Sequence, residues 1–255
     1  MLDELDTWER KHFVDGGGEP FLFYVVYGEV DSSIALSSEQ YRSEGIPSGI
    51  DVMSYSADSD LDVITSFREG YVWDKFVAKN PKYAQQIKDC ETCIVIKGTP
   101  HESRTLNYLR DTIGLITFML DHEGCAVFDP QILRWWHPSE WKEGIFNPAA
   151  PAPTQHVVIL KSEESLSNRY WLHTRGMRKF GRPDISVHNV SLQMEQVVID
   201  LCNALILREA YGSVIPEGER LSFSAFSPEV LVTYHGGLDN LEFNNFYIEL
   251  TLLDR

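Results

Sequence analysis

The sequence is short of positive charge. In 255 residues, 22 Lys and Arg stand against 38 Asp and Glu, a formal charge of −16. Affinity for nucleic-acid phosphates comes mainly from Lys and Arg displacing counterions, so tracking of a nucleic-acid backbone is excluded. An anionic leaflet likewise attracts basic segments and repels acidic ones. Long apolar runs are missing too. Phe21 to Tyr27 and the stretch Leu115 to Leu120, broken by Thr117, fall far short of the ~20 residues that span a bilayer. The start Met1-Leu2-Asp3-Glu4-Leu5-Asp6 is acidic, whereas a secretory leader needs a positive region followed by an apolar one. Cysteine is scarce: Cys90, Cys93, Cys125 and Cys202 are irregularly spaced, unlike a disulfide framework. The expectation is a reduced, cytoplasmic protein with no membrane association.

Catalytic signatures are also lacking. Walker A, H-E-x-x-H and a strand-linked G-x-G-x-x-G do not occur, and Gly45-Ile46-Pro47-Ser48-Gly49 has the wrong spacing for a nucleophile elbow. His235-Gly236-Gly237 echoes a lipase oxyanion segment but, without a nucleophile, reads as a hairpin turn. The sequence therefore assigns no catalytic residue, no metal and no cofactor, and leans away from an enzyme.

What is present is a folded-protein composition, 43% hydrophobic and 12% aromatic. Leu2, Leu5, Trp8 and Phe13 at near-helical spacing predict a helix over 2–13, ended by Gly16-Gly17-Gly18. Phe21 to Tyr27 predicts a buried strand. Residues 28–66 are polar and Ser-rich, read as loops around one or two short edge elements. Trp73 to Lys79 looks helical, and Asn80-Pro81 supplies an N-cap and N1 proline for a helix to about Lys88. Cys93 to Ile96 predicts a strand. Leu106, Leu109, Ile113, Ile116 and Leu120 form one helical stripe, closed by Gly124 as C′ glycine, and Ala126 to Phe128 a further strand. The β-α-β order suits a parallel or an antiparallel arrangement. Asn147 to Pro153 is the one linker-like stretch, stiffened by prolines. Beyond it come strands at 157–160, 170–173 and 185–190, then a helix at about 192–211 with Val198, Leu201, Leu205 and Arg208 along one side. Strands at 221–226, 231–234 and 246–252 close the chain. The reading is an α+β (α/β-like) protein of two lobes, each a mixed sheet with packed helices: 1–147, a linker at 148–154, and 155–255.

Charge is uneven along the chain. Residues 1–70 carry −11 and residues 183–255 carry −8, while 169–182 holds Arg169, Arg175, Arg178, Lys179 and Arg182 with no acid, +5 in fourteen residues. Within it, His173-Thr174-Arg175-Gly176-Met177-Arg178-Lys179-Phe180-Gly181-Arg182 combines guanidiniums, an imidazole and a hydroxyl with two glycines that permit close backbone approach. His173, Arg175, Gly176, Arg178, Lys179, Gly181 and Arg182 are candidates to bind a phosphate or carboxylate. The competing reading has these arginines pair with the protein's own carboxylates.

The segment Gly176-Met177-x-x-Phe180-Gly181-x-Pro183-Asp184, with the strand and helix after it, resembles an uncharacterised bacterial family, a domain of unknown function. The likeness is looser over 90–145, where Gly124-Cys125-Ala126-Val127-Phe128-Asp129-Pro130 and Trp141 contribute. The resemblance implies a bacterial cytoplasmic origin and an α/β fold, and it carries over no catalytic residue.

Three further features bear on function. Asp58-Ser59-Asp60-Leu61-Asp62 with Glu69 echoes an EF-hand loop, but Val63 stands where the sharp turn needs glycine; a solvated acidic loop is expected. Cys90-x-x-Cys93 lacks a second ligand pair for zinc and reads as core packing. Trp135-Trp136-His137-Pro138-Ser139-Glu140-Trp141 is either a partner-anchoring surface or a cap over the core. Two functional classes follow. One is a binding protein of the immunity or antitoxin type whose acids, with Asp58, Asp60, Asp62, Glu69, Trp135, Trp136 and Trp141 as candidate surface, neutralise a basic protein. The other is an enzyme or sensor holding an anionic small molecule at 173–184, with His173 as acid/base group.

Overall fold

Residues 5–31, 34–165, 168–223 and 226–253 are described in the computed structural model, the side chains of 223–228 excepted. The chain divides into two units, Met1–Trp8 with Phe21–Ala152 and Glu9–Pro20 with Pro153–Arg255. Both are α+β. No helix among the described residues is long and apolar enough to cross a membrane.

In the first unit the apolar run becomes β1 (Leu22–Gly28), central in a five-stranded sheet and buried along most of its length. The sheet order is β2 (Ile50–Ser56), β3 (Thr92–Gly98), β1, β4 (Gly124–Asp129), β5 (Arg134–Trp136), and every neighbouring pair is antiparallel. Since β3 and β4 both oppose β1, they run parallel to each other with one strand between them. The connecting helix α5 (Asn107–Asp121) thus makes a split β-α-β unit, so both arrangements open in the sequence meet in one sheet. The helices α1 (Ser38–Tyr41), α2 (Ala57–Ser66), α3 (Gly70–Lys79), α4 (Pro81–Lys88) and α6 (Pro138–Trp141) complete the unit.

Helix α5 is buried from Tyr108 through Leu120, all round and not along one stripe. Its second face is covered by α1: a Cβ on Gly114 would lie 2.1 Å from Tyr41 O, and the Tyr41 ring stands edge-on to Phe118 at 5.4 Å. The C′ glycine expected at Gly124 is not there, because Gly124 opens β4 and Glu123 takes the left-handed φ of 71°. What requires glycine at 124 is contact, since a Cβ would meet Met119 O at 2.6 Å.

Two other expectations fail. No helix covers the described residues 5–13. Trp8 is held in extended backbone instead, its N–H donating to Asn107 Oδ1 and its carbonyl accepting from Leu106 N–H. The acidic run is also not a loop, because Ser56 caps the Asp58 N–H and Asp58 and Asp60 occupy the first turn of α2, where the dipole favours anions.

The second unit holds a six-stranded mixed sheet in the order β6 (Val158–Glu163), β7 (Arg169–Arg175), β8 (Asp184–Ser191), β11 (Asn245–Leu252), β10 (Phe226–Gly237), β9 (Arg220–Phe223). Only the β8–β11 pair is parallel among its described pairings. Helix α7 (Glu195–Ala210) buries Val198, Leu201, Cys202, Leu205 and Ile206. The expected face included Arg208, which is exposed; its neighbour Glu209 is the buried charge.

Candidate functional site

The basic block forms the connection from β7 to β8. Gly176 (φ 117°) turns the chain out of β7, a short 3-10 turn spans Met177–Phe180, and Gly181 (φ 63°) turns it back. Asp184, wholly buried, ties the loop shut: Thr174 Oγ1 and Met177 N–H donate to its Oδ1 at 2.9 and 3.2 Å, and Asn245 Nδ2 to its Oδ2 at 2.9 Å. Burial outweighs these donors and raises its pKa to about 6. The close approach that glycine permits at 181 is to the chain itself. Gly18 N–H donates to Gly181 O at 2.9 Å, and a Cβ on Gly181 would sit 2.0 Å from Gly18 O. Gly181→Ala combines that clash with a left-handed φ. It is expected to cost at least ~3 kcal/mol in urea unfolding of the full chain.

All five cations of the block donate to main-chain carbonyl oxygens. Arg169 reaches Asn189 O (3.3 Å), Arg175 reaches Glu242 O (2.5 Å), Arg178 reaches Asn244 O (3.1 Å) and Lys179 reaches His156 O (3.0 Å). Arg182, buried, donates to Ser213 O, Gly212 O and Gly181 O at 2.8, 2.9 and 2.8 Å. Arg10 extends the pattern, donating to Ala210 O, Phe180 O and Glu209 O. Apart from Phe180 O and Gly181 O, the acceptors of Arg10 and Arg182 are carbonyls at and just past the end of α7, where helical C=O groups lack partners and the dipole favours cations. These acceptors are neutral carbonyl groups.

His173 is buried, with no hydrogen-bond partner at Nδ1. Burial first, then the charges of Arg175 and His188, lower its pKa to about 4, so the ring is neutral at pH 7. It belongs to a row the sequence did not reveal. Trp171 stacks on His173 at 3.9 Å and on His188 at 5.2 Å, and Phe243 follows, stacked on Tyr247 at 4.3 Å. His188 Nδ1 lies 2.6 Å from Glu164 Oε1. Alternation along β7 hinted at the row, but its members from β8, β11 and the β10–β11 turn lie up to 76 residues away from Trp171.

In the first unit the acidic candidates separate. Asp58, Asp62 and Glu69 are exposed, and Asp60 is half-buried at a kink in α2. The three tryptophans do not form a surface, which corrects their reading as partner anchors. Trp141 is wholly buried and donates to Thr117 Oγ1 at 3.0 Å, Trp136 stands edge-on to it, and Trp135 stacks on Phe128 at 4.6 Å. A cavity of about 290 Å³ beside Trp135 is rimmed by Lys75, Lys79 and Arg134. Another of about 410 Å³ is lined by His101, Tyr108 and Asp111. Among the described residues no group of three or more His, Cys, Asp or Glu is placed to hold a metal. In comparison with known proteins, no family model, curated protein or solved structure matches the chain.

Proposed function

We propose that this chain is a non-enzymatic binding protein that captures a basic partner protein, in the manner of an immunity or antitoxin protein, through the acidic α2 surface of its first unit. The observation that carries this reading is the direction of the cations. The five bases of 169–182 are engaged with carbonyls of their own unit. Over 50–70, five acids face a single base, Arg68. That guanidinium lies over the Tyr27 ring at 4.5 Å and donates to Lys88 O and Cys90 O. Asp51 stands opposite Lys97 in the β2–β3 register and Lys75 Nζ lies over the Tyr71 ring at 4.3 Å, so the excess of acids centres on Asp58, Asp60 and Asp62 of α2. Nearby in sequence stand Leu61, 56% exposed, and Tyr71, 70% exposed. Apolar anchors beside an excess of acids suit a partner that brings both basic and apolar groups. Strand β2, at the edge of its sheet, runs into α2.

The alternative, an anionic ligand at 173–184, would add a ligand to Arg175 and Arg178, each of which already donates to a carbonyl, those of Glu242 and Asn244. One experiment separates the two. The immobilised chain is exposed to lysate of its source cell at low and high salt, beside the variants D58N/D62N/E69Q and R175A/R178A. We expect a predominant basic protein, released by salt, with apparent affinity reduced ~10- to 100-fold by the acid substitutions and unchanged by the arginine ones. Capture that survives the acid substitutions and is lost with the arginine pair overturns the reading.

A further inference from the structure

We infer that Cys90 and Cys125 form a thiol–disulfide exchange site, which a small-molecule disulfide converts to an intramolecular disulfide. The Cys-x-x-Cys spacing points to the wrong partner. Cys93 is buried in β3 and its thiol is pushed up to about 11 by burial, whereas Cys90 Sγ lies 3.0 Å from Cys125 Sγ, 35 residues away. Topology makes this contact. Cys90 follows the end of α4, and Cys125 is the extra residue of a β-bulge, since Tyr27 pairs with Ala126 and Gly28 with Gly124. A bulge re-aims a side chain that regular pairing would hold elsewhere. Both cysteines are only partly buried, while Cys93 and Cys202 are enclosed.

The two thiols differ in character. The hydrogen bond from Cys125 favours the Cys90 thiolate, aided by the charge of Arg68, which donates to Cys90 O at 2.8 Å. The same contact, with burial, holds Cys125 protonated. Cys90 is thus the attacking sulfur and Cys125 the resolving one. The Cys90 thiolate attacks one sulfur of the small disulfide, forming a mixed disulfide and releasing one thiolate. Cys125 then loses its proton and attacks Cys90 Sγ, forming the protein disulfide and releasing the second thiolate. Two protein thiols are oxidised, one small disulfide is reduced to two thiols, and the two protein protons end on those thiols. The bond would close a long loop between α4 and β4, and the first unit's unfolding midpoint should rise by ~10 °C.

The test uses the full chain in glutathione buffers of graded poise, with alkylation trapping, peptide mapping and thermal unfolding. The expected product is a Cys90–Cys125 disulfide, reversed by dithiothreitol, with Cys93 and Cys202 still reduced. Cys125→Ser should stop at a glutathione adduct on Cys90, and Cys90→Ser should slow adduct formation at Cys125 at least tenfold. A wild-type product that stays a mixed disulfide, links through Cys93, or leaves both thiols alkylatable at every poise overturns the inference. So does equal reactivity of the two single variants.

Discussion

Glu209→Gln should remove most of the fall in stability expected of the second unit between pH 5 and pH 8. Glu209 is wholly buried, and neither carboxylate oxygen has a hydrogen-bond partner. Burial raises its pKa from the ordinary 4.5 to about 8, opposed in part by the charge of Arg182. The folded state therefore keeps a proton that the unfolded chain releases. Its contribution is fully present below about pH 4.5 and is lost as pH rises toward 8, at up to ~1.4 kcal/mol per pH unit. Asp184, raised from 3.8 to about 6, adds the same sign at the acidic end of that window. Glutamine has no proton to lose. Urea unfolding should find the variant close to wild type at pH 5 and more stable by ~3 kcal/mol at pH 8. Parallel pH profiles for the two proteins would show that Glu209 is not held neutral.

The second large effect is expected at Arg182. Its guanidinium satisfies three buried carbonyls, those of Gly181, Gly212 and Ser213, and its charge opposes the rise that burial gives the Glu209 pKa. Arg182→Ala leaves those three acceptors buried without their donor, so a loss of roughly 3–5 kcal/mol is expected. Arg182→Lys should recover less than half, because one ammonium cannot span three acceptors set for a planar fork. Arg175→Ala and Arg178→Ala, nearer the surface, should cost about 1 kcal/mol or less each. Denaturation of the full chain, followed by a probe in the second unit, ranks the four variants. Equal small losses at all three arginines would remove Arg182 from the frame of the fold.

Much of the architecture was legible because its signals are local. β1 is a continuous apolar run, α5 announces itself by its stripe, and β11 alternates with Ile248 and Leu250 buried, although Phe246 is exposed. The helix expected over 2–13 failed because the same spacing serves an extended segment whose backbone Asn107 and Leu106 hold. β2 reads in sequence only as an unplaced short edge element and α2 as a loop, because an edge strand and an exposed acidic helix bury few residues and so leave a weak apolar pattern. For the basic block the sequence located the unusual residues without their partners. The carbonyls that Arg175, Arg178 and Arg182 engage are brought to them by the β10–β11 turn and the end of α7. Only the assembled sheet separates a loop fastened from within from one open to an anion. The Cys90–Cys125 contact was hidden in the same way, behind a bulge that no residue spacing marks.

The account turns on the claim that the cations of 169–182 fasten their own loop and leave the acidic surface to act. Phosphate titration of the full chain, observed by NMR at the Gly176 and Gly181 amides and the Arg182 Nε–H, tests it most directly. The predicted result is no saturable shift at any of the three up to tens of millimolar phosphate, with Arg182 Nε–H protected from exchange by its bond to Ser213 O. Saturable shifts at both glycines would contradict the claim and make the loop a binding site.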